Sequence, residues 1–300
     1  MASGCVYQTA YISVYNMKHK LGIIVFASVL LSGCGSYNKL YKSTDYDYKY
    51  EAAKQYFAEG QYSKAATLLD GLITVLKGTD KAEESLFMQA LCQYKLGDYT
   101  TASQYFTTYY TSYPKGIFAE TARYMSGKAL YLDTPDPRLD QTSSMKAISE
   151  LQNYLDYYPD AKNKEEVQNL IFSLQDQLVE KEYMSARLYY NLGTYIGNCN
   201  ANNESNYESC VITAQNALKD YPYAKRREDL SFLIVEAKYE LARNSVEDKQ
   251  ADRYRDAIDE YYGFKNEFPE SKYMPAADKM FKAASAKVKE EGNPAANANS

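Results

Sequence analysis

The sequence predicts an all-α fold in which helix pairs stack into a right-handed superhelix. Three observations indicate this fold. A short pattern of small, apolar and proline residues recurs along the chain, and apolar residues recur at helical spacing within each copy. No segment of useful length alternates apolar and polar residues as a half-buried strand does.

The composition excludes several classes of protein. Of the 300 residues, 45% are apolar and 24% are charged, which is ordinary for a globular protein and too apolar for a disordered one. A mean hydropathy of -0.56 excludes a multi-span membrane protein. The formal net charge of -5 argues against a nucleic-acid binder, which usually carries a basic surplus on one face.

The amino-terminal region has the features of a lipoprotein signal peptide. From Met17 the chain has a short basic stretch and then an apolar run over residues 21–31. That run is shorter than the roughly 20 residues of a membrane-spanning helix, but it suits a secretory leader. It ends in Leu-Ser-Gly-Cys at residues 31–34, which resembles the bacterial lipoprotein box. We therefore expect removal of residues 1–33, with Met17 as the true start, and acylation of Cys34.

Acylation of Cys34 predicts a protein anchored in the outer membrane and facing the periplasm. Two or more acyl chains hold a protein on a membrane stably. Gly35 follows the cysteine instead of the aspartate of an inner-membrane retention signal, and residues 36–39 lack an acidic surface-export cluster. The alternative is a plain signal peptide with an incidental cysteine.

Five copies of a repeat follow the leader. In each copy a small residue is followed, four positions later on the same helix face, by a second residue that is mostly larger and apolar. The small residues are Ala65, Ala102, Ala147, Cys210 and Ala257, and their partners are Leu69, Phe106, Leu151, Ala214 and Tyr261. In the last four copies a proline lies twelve residues after the small residue, at Pro114, Pro159, Pro222 and Pro269. Proline ends a helix because it has no amide proton and clashes with the preceding turn.

This pattern resembles the tetratricopeptide repeat, a helix-turn-helix unit in which the small residue lets helix B pack closely on helix A. Gly60 and Gly97 fit the turns between the two helices, where a positive φ costs glycine little. Residues 133–142 contain two prolines and lengthen the loop inside the third repeat. The interval of 63 residues between Ala147 and Cys210 requires a long helix from about residue 163 to residue 192, followed by a polar loop at residues 198–206.

These elements predict the division of the chain. A removed signal peptide (1–33) and a lipid-anchored linker (34–44) precede the amino-terminal repeats one to three (45–160). The long helix and repeats four and five follow (161–288), and a disordered tail ends the chain (289–300).

The sequence offers no recognisable catalytic, cofactor or metal site, and we predict a protein that is not an enzyme. His19 is the only histidine and lies in the leader, so the mature chain cannot form a Ser-His-Asp or Cys-His arrangement. Besides Cys34, the mature chain keeps Cys92, Cys199 and Cys210, which without histidine make a poor zinc site. Cys199 and Cys210 form a disulfide, or Cys210 is a buried thiol in the small position of helix B.

Clustered tyrosines allow two interpretations. They wedge between helices, or some line a concave groove, where an aromatic body with a hydroxyl tip suits extended peptides. The clustered residues are Tyr46, Tyr48, Tyr50, Tyr109, Tyr110, Tyr157, Tyr158, Tyr189 and Tyr190.

The lipoprotein box followed by five such repeats resembles the BamD lipoprotein family of the β-barrel assembly machinery. Local matches are residues 138–141 (Arg-Leu-Asp-Gln), 181–190 in the long helix and 218–222 (Leu-Lys-Asp-Tyr-Pro). The resemblance implies that the amino-terminal repeats face unfolded outer-membrane proteins and that the carboxy-terminal repeats dock on the periplasmic domains of the barrel insertase, together with other subunits. From the composition and the missing motifs we expect no cofactor and no nucleic-acid partner.

The same resemblance indicates the partner-binding residues. In the family an arginine shortly after the Tyr-Pro of the fourth repeat contacts a partner; Arg227 takes that place here, Arg226 is the alternative, and Lys219 precedes both.

Two other functions stay open. One is a Tol–Pal-linked cell-division coordinator, which usually has an amino-terminal coiled coil that residues 35–46 do not provide. The other is a glycan-binding lipoprotein of nutrient uptake, which needs larger aromatic loops.

Overall fold

The computed structural model describes residues 37–195 and 205–291, and in those residues it contains helices and no strand. The predicted all-α fold of helix pairs is confirmed. The helices are α1 (Tyr46–Ala58), α2 (Tyr62–Val75), α3 (Lys81–Leu96), α4 (Tyr99–Ser112), α5 (Ala119–Leu132), α6 (Thr142–Tyr157), α7 (Lys164–Leu192), α8 (Asn206–Asp220), α9 (Arg227–Arg243), α10 (Glu247–Glu267) and α11 (Met274–Glu291). The leader, Cys34, Cys199 and most of the predicted loop at 198–206 lie outside the described residues.

The repeat pattern places its residues as predicted. The five small residues and the five residues four positions after them are all buried. Helices α4, α6, α8 and α10 each end two residues before their proline. The single residue between each helix end and its proline has φ between -126° and -132° and ψ between 61° and 69°. This backbone repeats because a following proline disfavours the helical conformation of the residue before it.

The turns within the first two repeats depend on glycine. Gly60 and Gly97 have φ of 74° and 83°, which an L side chain rarely adopts. After Gly97 the Asp98 side chain accepts a hydrogen bond from the amide of Thr101 at 3.1 Å and so caps α4. One helix therefore ends and the next begins within two residues.

The described residues divide into two compact units between residues 122 and 123, a boundary that lies inside α5. In the first unit α1 to α4 pack in chain order, with Ala53, Leu69 and Cys92 in the core. In the second unit α6 to α11 do the same, and Leu151 and Leu233 are buried there. The predicted division of roles at residues 160 and 161 is a different boundary and stays a prediction.

Helical residues lie inside the predicted linker at one end of the described chain and inside the predicted tail at the other. Residues 37–41, inside the predicted linker at 34–44, are helical, and Leu40 is buried in the same cluster as Ala53 and Leu69. The apolar Leu40 has a partner surface on α1 and α2, so the segment docks there. At the other end α11 runs to Glu291, three residues into the predicted tail, and residues 292–300 lie outside the description.

Candidate docking surface

The loop between α8 and α9 faces the first half of the long helix α7. Pro222 follows the end of α8, and the chain then turns through hydrogen bonds from the Ala224 amide to the Tyr221 carbonyl (3.2 Å) and from the Arg227 amide to the Ala224 carbonyl (3.1 Å). A pocket of about 520 Å³ lies between this loop and α7. It is lined by residues 220–225 on the loop side and by residues 169, 172, 173, 175 and 176 on the helix side.

Two large aromatic side chains at this pocket face solvent. Tyr223 is 88% exposed and Phe172 is 51% exposed. Aromatic residues are enriched at protein interfaces because they bring a large contact area at a small cost in conformational entropy. We call Phe172, Asp176, Tyr223 and Lys225 the docking surface.

Ion pairs fasten the loop to α7. Lys225 pairs with Asp176 at 2.8 Å, and its amide donates to the same carboxylate at 3.0 Å. Arg226 donates to both oxygens of Glu180 at 2.7 and 3.0 Å, the bidentate geometry that suits a guanidinium. The Arg226 guanidinium also lies 4.6 Å from the centre of the Tyr183 ring. The loop therefore presents Tyr223 from a fixed backbone.

Asp229 connects this network to α9. Arg226 donates to Asp229 at 2.8 Å, and the Tyr273 hydroxyl donates to it at 2.6 Å. Burial opposes the ionised carboxylate, but the hydrogen bonds from Tyr273 and Arg226 outweigh it and lower the pKa of Asp229. Hydrogen bonds to Glu180 and Asp229 raise the pKa of Arg226 further above its ordinary value. Both charges of this pair are thus stabilised inside the protein.

The structure brings the three predicted partner-binding residues close to this loop in different environments. Arg227 pairs with Glu267 at the end of α10, and it also donates to the Pro222 carbonyl at 3.3 Å. Lys219, in the last turn of α8, is exposed and has no ion pair with a described residue. Both arginines thus have all their hydrogen bonds inside the protein, whereas the Lys219 ammonium faces solvent. Whether any of them contacts a partner stays a prediction, and Cys34 lies outside the described residues.

Sequence reasoning missed the two exposed aromatics. A Tyr-Pro-Tyr sequence at residues 221–223 is the signal that could have indicated Tyr223, because a tyrosine directly after a helix-ending proline falls in a loop. Phe172 follows the buried Ile171 on α7, but helical spacing sets it off the apolar face that Ile171 and Leu174 share. The period of 3.6 residues could therefore have placed Phe172 on the outer face.

The tyrosine clusters divide by burial. Tyr50, Tyr109 and Tyr110 are buried, and so fit the interpretation as wedges between helices. Three others are exposed: Tyr46, Tyr48 and Tyr157. The last three, Tyr158, Tyr189 and Tyr190, are partly buried.

The described part of the chain has neither a cluster of metal ligands nor a membrane-spanning helix. Within residues 37–195 and 205–291, no three acidic, cysteine or histidine side chains are placed to hold a metal ion. In the same part of the chain, no helix combines the length and apolar character needed to cross a bilayer.

Residues 43–205 match the model of a protein family described as YfiO, outer membrane lipoprotein. The chain belongs to this family. The match covers more than half of the 300 residues and runs from just before α1 to the start of α8. It confirms the resemblance to BamD-type lipoproteins that the sequence indicated. No curated protein matches the chain. The α7 side of the docking surface lies inside the matched residues, and the loop side lies beyond them.

Proposed function

We propose that this outer membrane lipoprotein is a non-catalytic scaffold of the β-barrel assembly complex, anchored through acyl chains on Cys34 and facing the periplasm. It holds the barrel insertase and presents unfolded outer-membrane proteins to it. The match of residues 43–205 to the outer membrane lipoprotein family carries the proposal. Residues 45–160 serve the substrate and residues 161–288 serve the insertase.

The docking surface supports the second of these roles. It combines two exposed aromatic rings with a loop that two ion pairs hold on α7, so the loop backbone loses little freedom when a partner binds. Binding energy at protein interfaces concentrates in a few such aromatic and arginine side chains. We therefore propose that the periplasmic domains of the insertase contact Tyr223 and Phe172.

Affinity purification of the acylated protein from membranes solubilised in mild detergent tests the scaffold role. We expect a barrel insertase among the recovered proteins and lower porin levels in cells depleted of this chain. Recovery of no insertase, or normal porin levels after depletion, would count against the assembly role. Recovery of division proteins, or binding of a glycan by the purified chain, would favour one of the two alternative functions.

A tyrosine truncation tests the docking surface. Because the Tyr223 side chain is almost fully exposed, Tyr223→Ala removes little packing, and we expect it to weaken recovery of the insertase by about tenfold. Tyr195→Ala, at the other end of α7, removes a similarly exposed ring (68%) and is the matched control. Equal recovery with both variants would exclude Tyr223 from the interface.

A charge swap separates a partner contact of Arg227 from its internal ion pair. Arg227→Glu alone places a carboxylate against Glu267 and so disturbs α9 and α10 whatever the partner does. The double variant Arg227→Glu with Glu267→Arg exchanges the two charges and so restores the ion pair between these positions. If Arg227 contacts the insertase, the double variant still loses recovery while its helical circular-dichroism signal is normal. If the role is structural, the double variant regains recovery.

A further inference from the structure

The first described residues form an exposed patch of aromatic and basic side chains. Tyr41 and Tyr46 are 50% and 42% exposed. The Lys49 ammonium lies 5.8 Å from the centre of the Tyr41 ring and 5.9 Å from that of Tyr46, so these three side chains are contiguous. Lys39 and Lys42 are exposed on either side of Tyr41 in the sequence. We call these five residues the anchor-proximal surface.

The charge of this surface is positive. Its three lysines outnumber the two carboxylates of the same stretch: Asp45 is the N-cap of α1 and accepts the amide of Tyr48 at 2.9 Å, and Asp47 is paired with Lys81 at 2.8 Å. The three lysines of the anchor-proximal surface have no ion pair with any residue that the structure describes. Their charges are available to an anionic partner.

The surface is fixed to the first repeat. The side chain of Leu40 is buried against α1 and α2, in a cluster with Ala53 and Leu69. The Tyr37 hydroxyl donates to the carbonyl of Lys64 at 3.2 Å, and the Tyr37 ring lies edge-on to Tyr56 at 5.7 Å between centres. Residues 37–41 therefore move with the helices of the first repeat.

The distance from the anchor limits where this surface can lie. Two residues lie between Cys34 and Tyr37, so in any conformation the Cα atoms of Cys34 and Tyr37 are at most about 11 Å apart. Tyr41 lies one helical turn further, about 6 Å along the axis. With acyl chains on Cys34 in the bilayer, the start of the first repeat stays within reach of the lipid headgroups. This step rests on the acylation in the proposed function.

We propose that the anchor-proximal surface contacts the membrane, with Tyr41 and Tyr46 at the level of the headgroups and Lys39, Lys42 and Lys49 on anionic phospholipids. Tyrosine suits this position because its ring is apolar and its hydroxyl tip is polar. Lysine extends its charge to the headgroups from an apolar stem. The contact holds the first repeat in one orientation against the bilayer, which acyl chains on a flexible linker would not do.

Because the chain contains no tryptophan, single-tryptophan variants can report the contact. Acylated Tyr46→Trp protein is reconstituted into vesicles of phosphatidylethanolamine and phosphatidylglycerol, with and without bromine on the acyl chains. We expect brominated lipid to quench its emission about twofold and the emission to be blue-shifted. Tyr223→Trp, at a more exposed tyrosine of the second unit, is the control and should show no quenching.

A lysine variant tests the choice of lipid. Adding Lys39→Gln, Lys42→Gln and Lys49→Gln to the reporter should reduce its quenching in these vesicles to the level found in neutral phosphatidylcholine. Unchanged quenching in this variant would overturn the role of anionic lipid.

Flotation of the vesicles and the mass of the amino-terminal peptide are measured first. They separate the proposed acyl anchor on Cys34 from the proposed membrane contact of the anchor-proximal surface. A protein without acyl chains that stays in solution contradicts the proposed anchor, and the inference fails with it. An acylated protein that floats, but whose Tyr46→Trp emission is quenched no more than that of Tyr223→Trp, overturns the inference alone.

Discussion

Tyrosine hydroxyls join neighbouring helices, and also helices that are not consecutive in the sequence. Tyr124 on α5 donates to Glu166 on α7 at 2.6 Å, and Tyr261 on α10 donates to Asp278 on α11 at 2.6 Å. A buried ring needs a partner for its hydroxyl, and a carboxylate of a neighbouring helix supplies it. Burial, together with these carboxylates, raises the pKa of both phenols, so they remain donors throughout the neutral range. A chain with 33 tyrosines can thus pack tyrosine rings between its helices and still give the hydroxyl groups hydrogen-bond partners.

Two buried thiols give a prediction at the same scale. Cys92 and Cys210 are fully buried, and burial raises the pKa of each to about 12. Since the thiolate is the reactive form, we expect both to react with iodoacetamide at pH 8 at least about a hundredfold more slowly in the folded protein than in denaturant. Mass spectrometry of the labelled peptides measures this.

The same experiment addresses Cys199. A free Cys210 is labelled in denaturant without a reductant, as the free thiol in the structure requires. Labelling of Cys210 only after reduction would indicate a disulfide with Cys199. Rapid labelling of the folded protein would contradict the burial of both thiols.

Helices begin and end where local chemistry requires it, which is why the sequence predicted them. The prolines predicted the ends of four helices, and the interval between Ala147 and Cys210 predicted the long helix that the structure places at Lys164–Leu192. Contacts between residues far apart in the chain could not be predicted from the sequence. The contact of Arg226 with Glu180 joins positions 46 residues apart, and the docking of Leu40 depends on a surface made by two other helices. Local patterns carry no information on either.

Replacing either of two helical glycines by alanine should change the stability in opposite directions. Gly263 lies inside α10, and a Cβ there would meet no atom within 4 Å. Gly263→Ala should therefore stabilise the protein by about 0.5–1 kcal/mol, because alanine restricts the unfolded chain. Gly127 on α5 is different, since a Cβ there would lie 2.6 Å from a methyl carbon of the buried Leu151 on α6.

Gly127→Ala should destabilise the protein by about 1–3 kcal/mol, because a fully buried leucine has no room to move. Denaturant unfolding of both variants measures the two changes in the free energy of unfolding. Shifts of the same sign would contradict the close packing of α5 on α6.

Each helix of the described chain is stabilised mainly by contacts with the helices next to it in the sequence. The described helices pack mainly on their neighbours in the sequence, and the remaining contacts join helices two apart, such as α7 with α9 and α9 with α11. Such a chain has a stability close to a sum of nearest-neighbour terms. A cavity in one unit should then affect that unit far more than the other.

Leucine truncations in the two units test this. Leu69 in the first unit and Leu233 in the second are each almost fully buried, so replacing either by alanine should cost about 2–5 kcal/mol in its own unit. Hydrogen exchange followed by mass spectrometry should then show faster exchange in α1 to α4 for Leu69→Ala and in α8 to α11 for Leu233→Ala. Each variant is the control for the other, because the substitution is chemically identical. If either truncation accelerated exchange equally in all of these helices, the two units would unfold as one, and local additivity would fail for this protein.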